Sequence, residues 1–246
     1  MNPQEVAPGV YRLSHGVSNF YLVDRAGRLA LIDAGVPGDW TRLDAALRSM
    51  GRSLSAVDAI VLTHAHSDHT GFAERARSSG GVKVWVHESD LAVAKGGRPD
   101  PNEAPAGRYL RHLEAWRTLF GLLLTGGTKI VPILEASTFV DGTILEIPGR
   151  PVVVHLPGHT PGSSALFVED ASALFTGDSL VLRNPLTGRR GPQIMPSALN
   201  RSSRTALESL ARIESLPATR VLSGHGEPWT GGVAEAVRRA KAAGPS

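Results

Sequence analysis

The sequence predicts an α/β protein made of two halves, each alternating short apolar strands with helices, packed against one another. Three observations predict it. Runs of three to five apolar residues recur along the chain, with segments of helical periodicity between them. The 27 glycines and 17 prolines suit a β-rich architecture with many turns. Four of the apolar runs lead straight into a turn that carries histidine or aspartate.

The elements follow in order. Val10-Tyr11-Arg12-Leu13, Phe20-Tyr21-Leu22-Val23 and Leu29-Ala30-Leu31-Ile32 read as early strands, separated by Gly16 and by Ala26-Gly27. Residues 40–50 place Leu43, Ala46, Leu47 and Met50 at helical spacing, closed by Gly51. Ala59-Ile60-Val61-Leu62 reads as a buried strand, and a helix is expected over residues 71–77. Lys83-Val84-Trp85-Val86 is another strand. Val152 to Leu156, Ala173-Leu174-Phe175 and Arg220-Val221-Leu222 are the strands of the second half. Helices are expected over residues 202–216 and 233–243. No short-period repeat or low-complexity tract interrupts this order, and one domain over residues 1–246 is expected.

Residues 96–128 stand apart. Gly96 to Pro105 is loop-like, with glycine and proline throughout. A helix follows in which Tyr109, His112, Leu113, Trp116, Leu119, Phe120 and Leu123 lie on or near one face. Three roles fit it: ordinary core, a lid forming an apolar substrate pocket, or a dimer contact. Residues 180–196 read as a long loop containing Arg183, Arg189 and Arg190, whose cations would be solvated surface or would pair with a substrate carboxylate.

Composition narrows the function classes. The chain has 246 residues, 41% hydrophobic and 20% charged, values of an ordinary globular protein. Net charge is only +3, and no Lys/Arg stripe with interleaved aromatics points to nucleic acid. No apolar run approaches the length of a membrane span, and Met1-Asn2-Pro3-Gln4-Glu5-Val6 has neither the charged start nor the apolar stretch of a signal peptide. A cytoplasmic protein is expected, acting on a small-molecule substrate without nucleic acid or membrane, with a second copy of the chain as partner if the 96–128 helix is a dimer contact. With no cysteine, thiolate chemistry and disulfides are excluded.

The chemistry concentrates in His64-Ala65-His66-Ser67-Asp68-His69, four potential metal ligands within six residues. Neutral imidazole and carboxylate oxygen are the donors that zinc and similar divalent ions take. If the strand continues past Thr63, His64 and His66 point to the same side, and a turn returns Asp68 and His69 toward them at a helix start. Three further donors follow apolar runs in tight turns: His159 in Pro157-Gly158-His159-Thr160-Pro161-Gly162, Asp178 in Thr176-Gly177-Asp178, and His225 in Gly224-His225-Gly226. Glycine permits the close backbone approach that a crowded metal site requires. The other histidines, His15, His87, His112 and His155, have no matching partners in the sequence.

These motifs resemble the metallo-β-lactamase fold superfamily, and by metal motif its glyoxalase II-like branch. Leu31-Ile32-Asp33-Ala34-Gly35 resembles the family's early strand-to-turn motif, in which the aspartate supports the site from behind. The resemblance implies an αβ/βα four-layer sandwich, two mixed sheets packed face to face with helices outside and the metals at one edge. It implies a binuclear site: His64, His66 and His159 around one ion, Asp68, His69 and His225 around the other, and Asp178 bridging. Two divalent ions, zinc first with manganese or iron as alternatives, would supply a hydroxide for cleavage of a small ester, thioester or lactone, with Asp68 handling its proton.

Within the family several branches are weighed. Glyoxalase II carries a C-terminal helical domain, whereas this sequence ends about twenty residues after His225. Homoserine-lactone hydrolases carry a tyrosine where Val181 stands here. True β-lactamases generally lack the bridging aspartate. Persulfide dioxygenases use the same fold with one iron held by two histidines and an aspartate, and form the alternative function. Retention of all seven ligands favours two metals over that chemistry and over a non-catalytic binding role.

Overall fold

The computed structural model describes residues 3–14 and 16–246; His15 lies outside the described residues. Strands β1 (Gln4–Ala7), β2 (Val10–Ser14), β3 (Asn19–Arg25) and β4 (Arg28–Ile32) form an antiparallel meander. Helix α1 (Trp40–Ser49) leads to β5 (Val57–Val61), which runs parallel to β4. The short α2 (Ser67–Thr70) and α3 (Ala73–Gly80) lead to β6 (Lys83–His87), and α4 (Leu91–Ala94) and α5 (Leu113–Thr125) precede β7 (Ser137–Phe139), both strands again parallel. The seven strands lie in sequence order across one mixed sheet.

The second mixed sheet holds β8 (Val152–His155), β9 (Ser164–Val168), β10 (Ala173–Gly177) and β13 (Arg220–Ser223) in the order β13-β10-β9-β8. Between β10 and β13 come the antiparallel ribbon of β11 (Val181–Arg183) and β12 (Arg190–Gln193), and helix α6 (Ser203–Ser209). Helix α7 (Val233–Ala243) closes the described chain. No described helix is long and apolar enough to cross a membrane.

Strand periodicity explains the layering. In β3, Tyr21 and Val23 face the opposite sheet, while Phe20 and Leu22 face the helices. In β4, Ala30 and Ile32 divide from Leu29 and Leu31 in the same way. In the second sheet Leu166, Val168 and Phe175 meet the first sheet, and Ala165, Phe167 and Leu174 meet α6 and α7. Each sheet is therefore buried on both faces, which is why its central strands read as unbroken apolar runs. The result is the four-layer αβ/βα sandwich expected from the sequence, with Leu43 and Leu47 of α1 and Ala76 of α3 covering one side. Ala206 of α6 and Ala236, Val237 and Ala240 of α7 cover the other.

Three expectations are corrected. The 202–216 helix ends at Ser209 and continues only as a short 3₁₀ turn, Leu210–Arg212; the Ser209 hydroxyl donates back to the Ala206 carbonyl at 2.9 Å, competing with the helical ladder. Residues 180–196 are the β11–β12 ribbon rather than a long loop, with the turn held by Asn184, whose side chain accepts the Leu186 and Thr187 amides. The Arg183 guanidinium in that ribbon pairs with Glu114 of α5.

Helix α5 is the second half of the unusual 96–128 segment. Leu113, Trp116, Phe120 and Leu123 are not core residues: they are exposed, Leu113 by 66% and Phe120 by 55%. The helix turns Ala115, Thr118, Leu119 and Leu122 toward a cavity instead.

Candidate metal centre

Strand direction gathers the candidate residues at one edge of the sandwich. β8 and β10 are both antiparallel to β9, and β13 is parallel to β10, so all three run the same way. His159, Asp178 and His225 follow their C-terminal ends. His64, His66, Asp68 and His69 follow β5 of the other sheet. The edge is thus built from turns of both sheets, as ligand sites in open α/β sheets generally are.

The first turn differs in detail from the sequence expectation. The chain leaves its ladder at Val61 and bends through Thr63 and His64, so strand alternation does not aim the imidazoles. Two buried carboxylates do. Asp33 accepts the Thr63 amide at 2.7 Å, and Asp90 accepts the Ala65 amide at 3.0 Å. Between them they fix the backbone on either side of His64.

The seven predicted residues converge. His159 Nε2 lies 2.9 Å from His66 Nδ1 and 3.1 Å from His64 Nε2. His225 Nε2 lies 3.5 Å from Asp68 Oδ2, and His69 Nε2 lies 3.6 Å from the same oxygen. Asp178 sits between the two groups. Its Oδ2 is 3.2 Å from His225 Nε2, 3.6 Å from His159 Nε2 and 4.0 Å from His64 Nε2; its Oδ1 is 3.5 Å from His69 Nε2. The donor atoms of each triplet, His64/His66/His159, His64/His69/Asp178 and Asp68/His69/His225, lie within 4.8 Å of one another.

In His64, His69, His159 and His225 the other ring nitrogen is engaged, which fixes the orientation of those imidazoles. Asp33 Oδ2 receives His69 Nδ1 at 2.8 Å, the Val17 carbonyl receives His225 Nδ1 at 2.8 Å, and the Asn200 side-chain oxygen lies 3.3 Å from His159 Nδ1. His64 Nδ1 is 3.1 Å from the Thr63 hydroxyl, which donates to Asp33. Asp33 itself has φ of 63°, a left-handed conformation that aspartate tolerates better than most residues. Two glycines are required by crowding. A Cβ on Gly224 would stand 2.2 Å from Asp178 Oδ1 and 2.6 Å from His69 Cε1. One on Gly177 would stand 2.2 Å from the Thr63 hydroxyl.

Electrostatics divide the centre. Burial holds His64, His66 and His159 below the usual histidine pKa, His159 at about 3, reinforced for His64 and His159 by neighbouring imidazoles. Burial also opposes charge on His69 and His225, but Asp178 and Asp68 outweigh it and raise both. Burial works against ionised Asp178 too; His225 and His69 nevertheless hold it well below the usual carboxylate range.

The donor set fits metal ions. His159 Nε2 faces two other ring nitrogens that burial keeps uncharged, an arrangement one shared cation satisfies. His69 Nε2 and Asp178 Oδ1 are buried without a hydrogen-bond partner, a costly state for polar groups that a cation between them relieves.

A cavity of about 640 Å³ opens onto this centre and is lined in part by His66, Asp68, His159, Asp178 and His225. His112 caps the start of α5 outside it. His155 Nε2 donates to the Pro161 carbonyl at 2.7 Å, and the ring stacks on His87 with ring centres 4.2 Å apart. Sequence reasoning passed over Asp90 and Asn200. Neither lies in a motif, and Glu88-Ser89-Asp90 looks like ordinary surface until the fold buries it.

Residues 13–225 match the family model of the metallo-beta-lactamase superfamily, and the chain belongs to that superfamily. It is a metal-dependent hydrolase by family, with the histidine and aspartate clusters of a dinuclear site. A probable metallo-hydrolase of Bacillus subtilis, YflN, is 26% identical over 92% of this chain and 87% of its own length. The hydroxyacylglutathione hydrolase GloC of Haemophilus influenzae is 29% identical over 61% of this chain and 60% of its own length. Among solved structures, TTHA1623 in a di-iron-bound form superposes with a TM-score of 0.61 at 27% identity, covering 90% of this chain and 94% of that one.

Proposed function

We propose that the chain is a binuclear hydrolase of small esters, thioesters or lactones. One observation carries this reading: two groups of donors share Asp178, with Asp68 on the side that opens to the cavity. His64, His66 and His159 would hold one ion, Asp68, His69 and His225 the other, and Asp178 both. When bound, two divalent ions supply Lewis acidity, acidifying water and polarising a carbonyl.

The chain's own groups do the rest. Asp68 is half-buried, its carboxylate facing the cavity, where it orients a water and takes its proton. The α2 turn keeps it there, since the Ser18 hydroxyl donates to the Asp68 carbonyl at 2.6 Å. Asp33 and Asn200 prevent His69 and His159 from rotating when the occupant changes. An imidazole-rich set suits zinc; TTHA1623 is described in a di-iron form, so iron belongs in the same test. GloC, named a hydroxyacylglutathione hydrolase, supports hydrolysis of an acyl substrate.

The experiment is a panel of esters, thioesters and lactones, assayed with metal-loaded and chelator-treated protein. The reading expects hydrolysis that chelator abolishes and added divalent metal restores. No hydrolysis of any class by protein holding two metals overturns it.

A further inference from the structure

We propose that the substrate carries an apolar acyl chain, held in the cavity above the metal centre. This rests on the hydrolase reading and deepens it by naming the part of the substrate that the chain selects.

The cavity's floor is the donor set, so whatever fills it lies against the reacting position. Its walls are mostly hydrocarbon, with Ser67, Asn102, Thr118 and Thr128 as the neutral polar side chains among them besides Tyr109. Leu119 and Leu122 of α5, Ile130, Leu186, Met195 and Leu199 line it. Tyr109 adds a ring whose hydroxyl is already used, donating to the Ser246 main-chain oxygen at 2.6 Å. Apart from the donors themselves, the charged residues among the described lining are Arg98 and Lys129, and both are solvent-exposed. Arg183, the cation nearest in sequence to Asp178, is paired with Glu114 and is not in the lining.

A charged or peptide-like acyl group would bury polar atoms against the leucine, isoleucine and methionine surface, at substantial cost. A hydrocarbon chain meets matching surface and releases water from it. The volume, about 640 Å³, is that of a pocket for a small organic ligand rather than for water or a single methyl group. Arg98 and Lys129, the exposed cations of the lining, suit a polar leaving group. The sorting is by chain length: full burial of a methylene favours binding by about fourfold, and partial burial by about twofold.

The test uses metal-loaded protein and p-nitrophenyl acetate, butyrate, hexanoate and octanoate, with calorimetric titration of the matching amides, acetamide to octanamide, into metal-free protein. The expected result is a kcat/KM that climbs about twofold or more per methylene through hexanoate, with amide affinity rising in parallel. Leu119→Lys, on a partly exposed helix position, and Leu122→Ser should each lower the octanoate-to-acetate ratio several-fold through KM. Equal turnover of acetate and octanoate overturns the inference and leaves the hydrolase reading standing. If no ester is turned over, the thioester and lactone panel decides the hydrolase reading and the amide series decides the cavity: flat affinity overturns the apolar-chain inference, and rising affinity supports it.

Discussion

The carboxylate of Asp90 accepts a hydrogen bond from the Thr160 hydroxyl at 2.7 Å, and with it ties together two turns that lie 70 residues apart. The same carboxylate accepts the Ala65 amide at 3.0 Å and the Gly162 amide at 2.7 Å. Ala65 lies between His64 and His66, and Thr160 follows His159. One buried side chain thus sets the spacing of all three histidines of the first cluster and touches none of the second. Asp90→Ala is expected to weaken metal retention at His64/His66/His159 by about 10- to 100-fold, with the second ion held nearly as before. Metal content after graded chelator dialysis checks this; wild-type retention of both ions would refute it.

Asp33 is the corresponding brace for the second cluster. It accepts from the Thr63 amide and hydroxyl and from His69 Nδ1, all buried. Asp33→Ala strands those donors and keeps the left-handed backbone without a residue suited to it. A loss of about 3 kcal/mol in urea unfolding of the metal-free protein is expected. Loss within about 0.5 kcal/mol would mean that the network relaxes without cost.

Asp68 separates folding from turnover. It is partly exposed, so Asp68→Asn should leave the unfolding midpoint close to wild type while lowering kcat by about 100-fold or more. Near-normal kcat in a variant that still holds metal removes Asp68 from the mechanism.

The His87–His155 stack lies away from the centre and gives a pH dependence of its own. Burial, with His155 beside it, lowers the His87 pKa below the ordinary 6.5. The unfolded chain therefore takes up a proton near 6.5 that the folded chain refuses until lower pH, and stability falls as pH drops through that window. Asn at position 87 keeps an acceptor for the Ser89 amide and does not titrate. The His87→Asn variant should lose less stability than wild type between pH 7 and pH 5 in urea unfolding. Parallel curves would contradict the assignment.

Legibility in the sequence tracked the length and continuity of apolar patterning. β3, β4 and α7 were readable because burial on both faces, or a clean helical stripe, leaves a strong signal. β7 has three residues, two of them exposed, and its place is set by pairing with β6 rather than by its composition. β9 is wholly buried and reads as apolar, yet it follows His159 so closely that the turn motif masks it. In the centre, the seven residues that converge are legible because imidazole and carboxylate in tight turns stand out by residue type. Asp90 and Asn200 were not, because they act through backbone and side-chain hydrogen bonds that only the packed turns create. The apolar stripe of α5 was visible, but its direction was not: the residues that line the cavity, Ala115, Leu119 and Leu122, are offset from the exposed Leu113, Trp116 and Phe120.

A centre that holds two ions across Asp178 gives, in elemental analysis of protein purified without added metal or chelator, about two equivalents of divalent metal per chain, falling to about one in Asp90→Ala after mild chelation. A single equivalent of iron, unchanged by replacement of Asp68 or His225, would contradict it and turn the search toward oxidation of sulfur substrates.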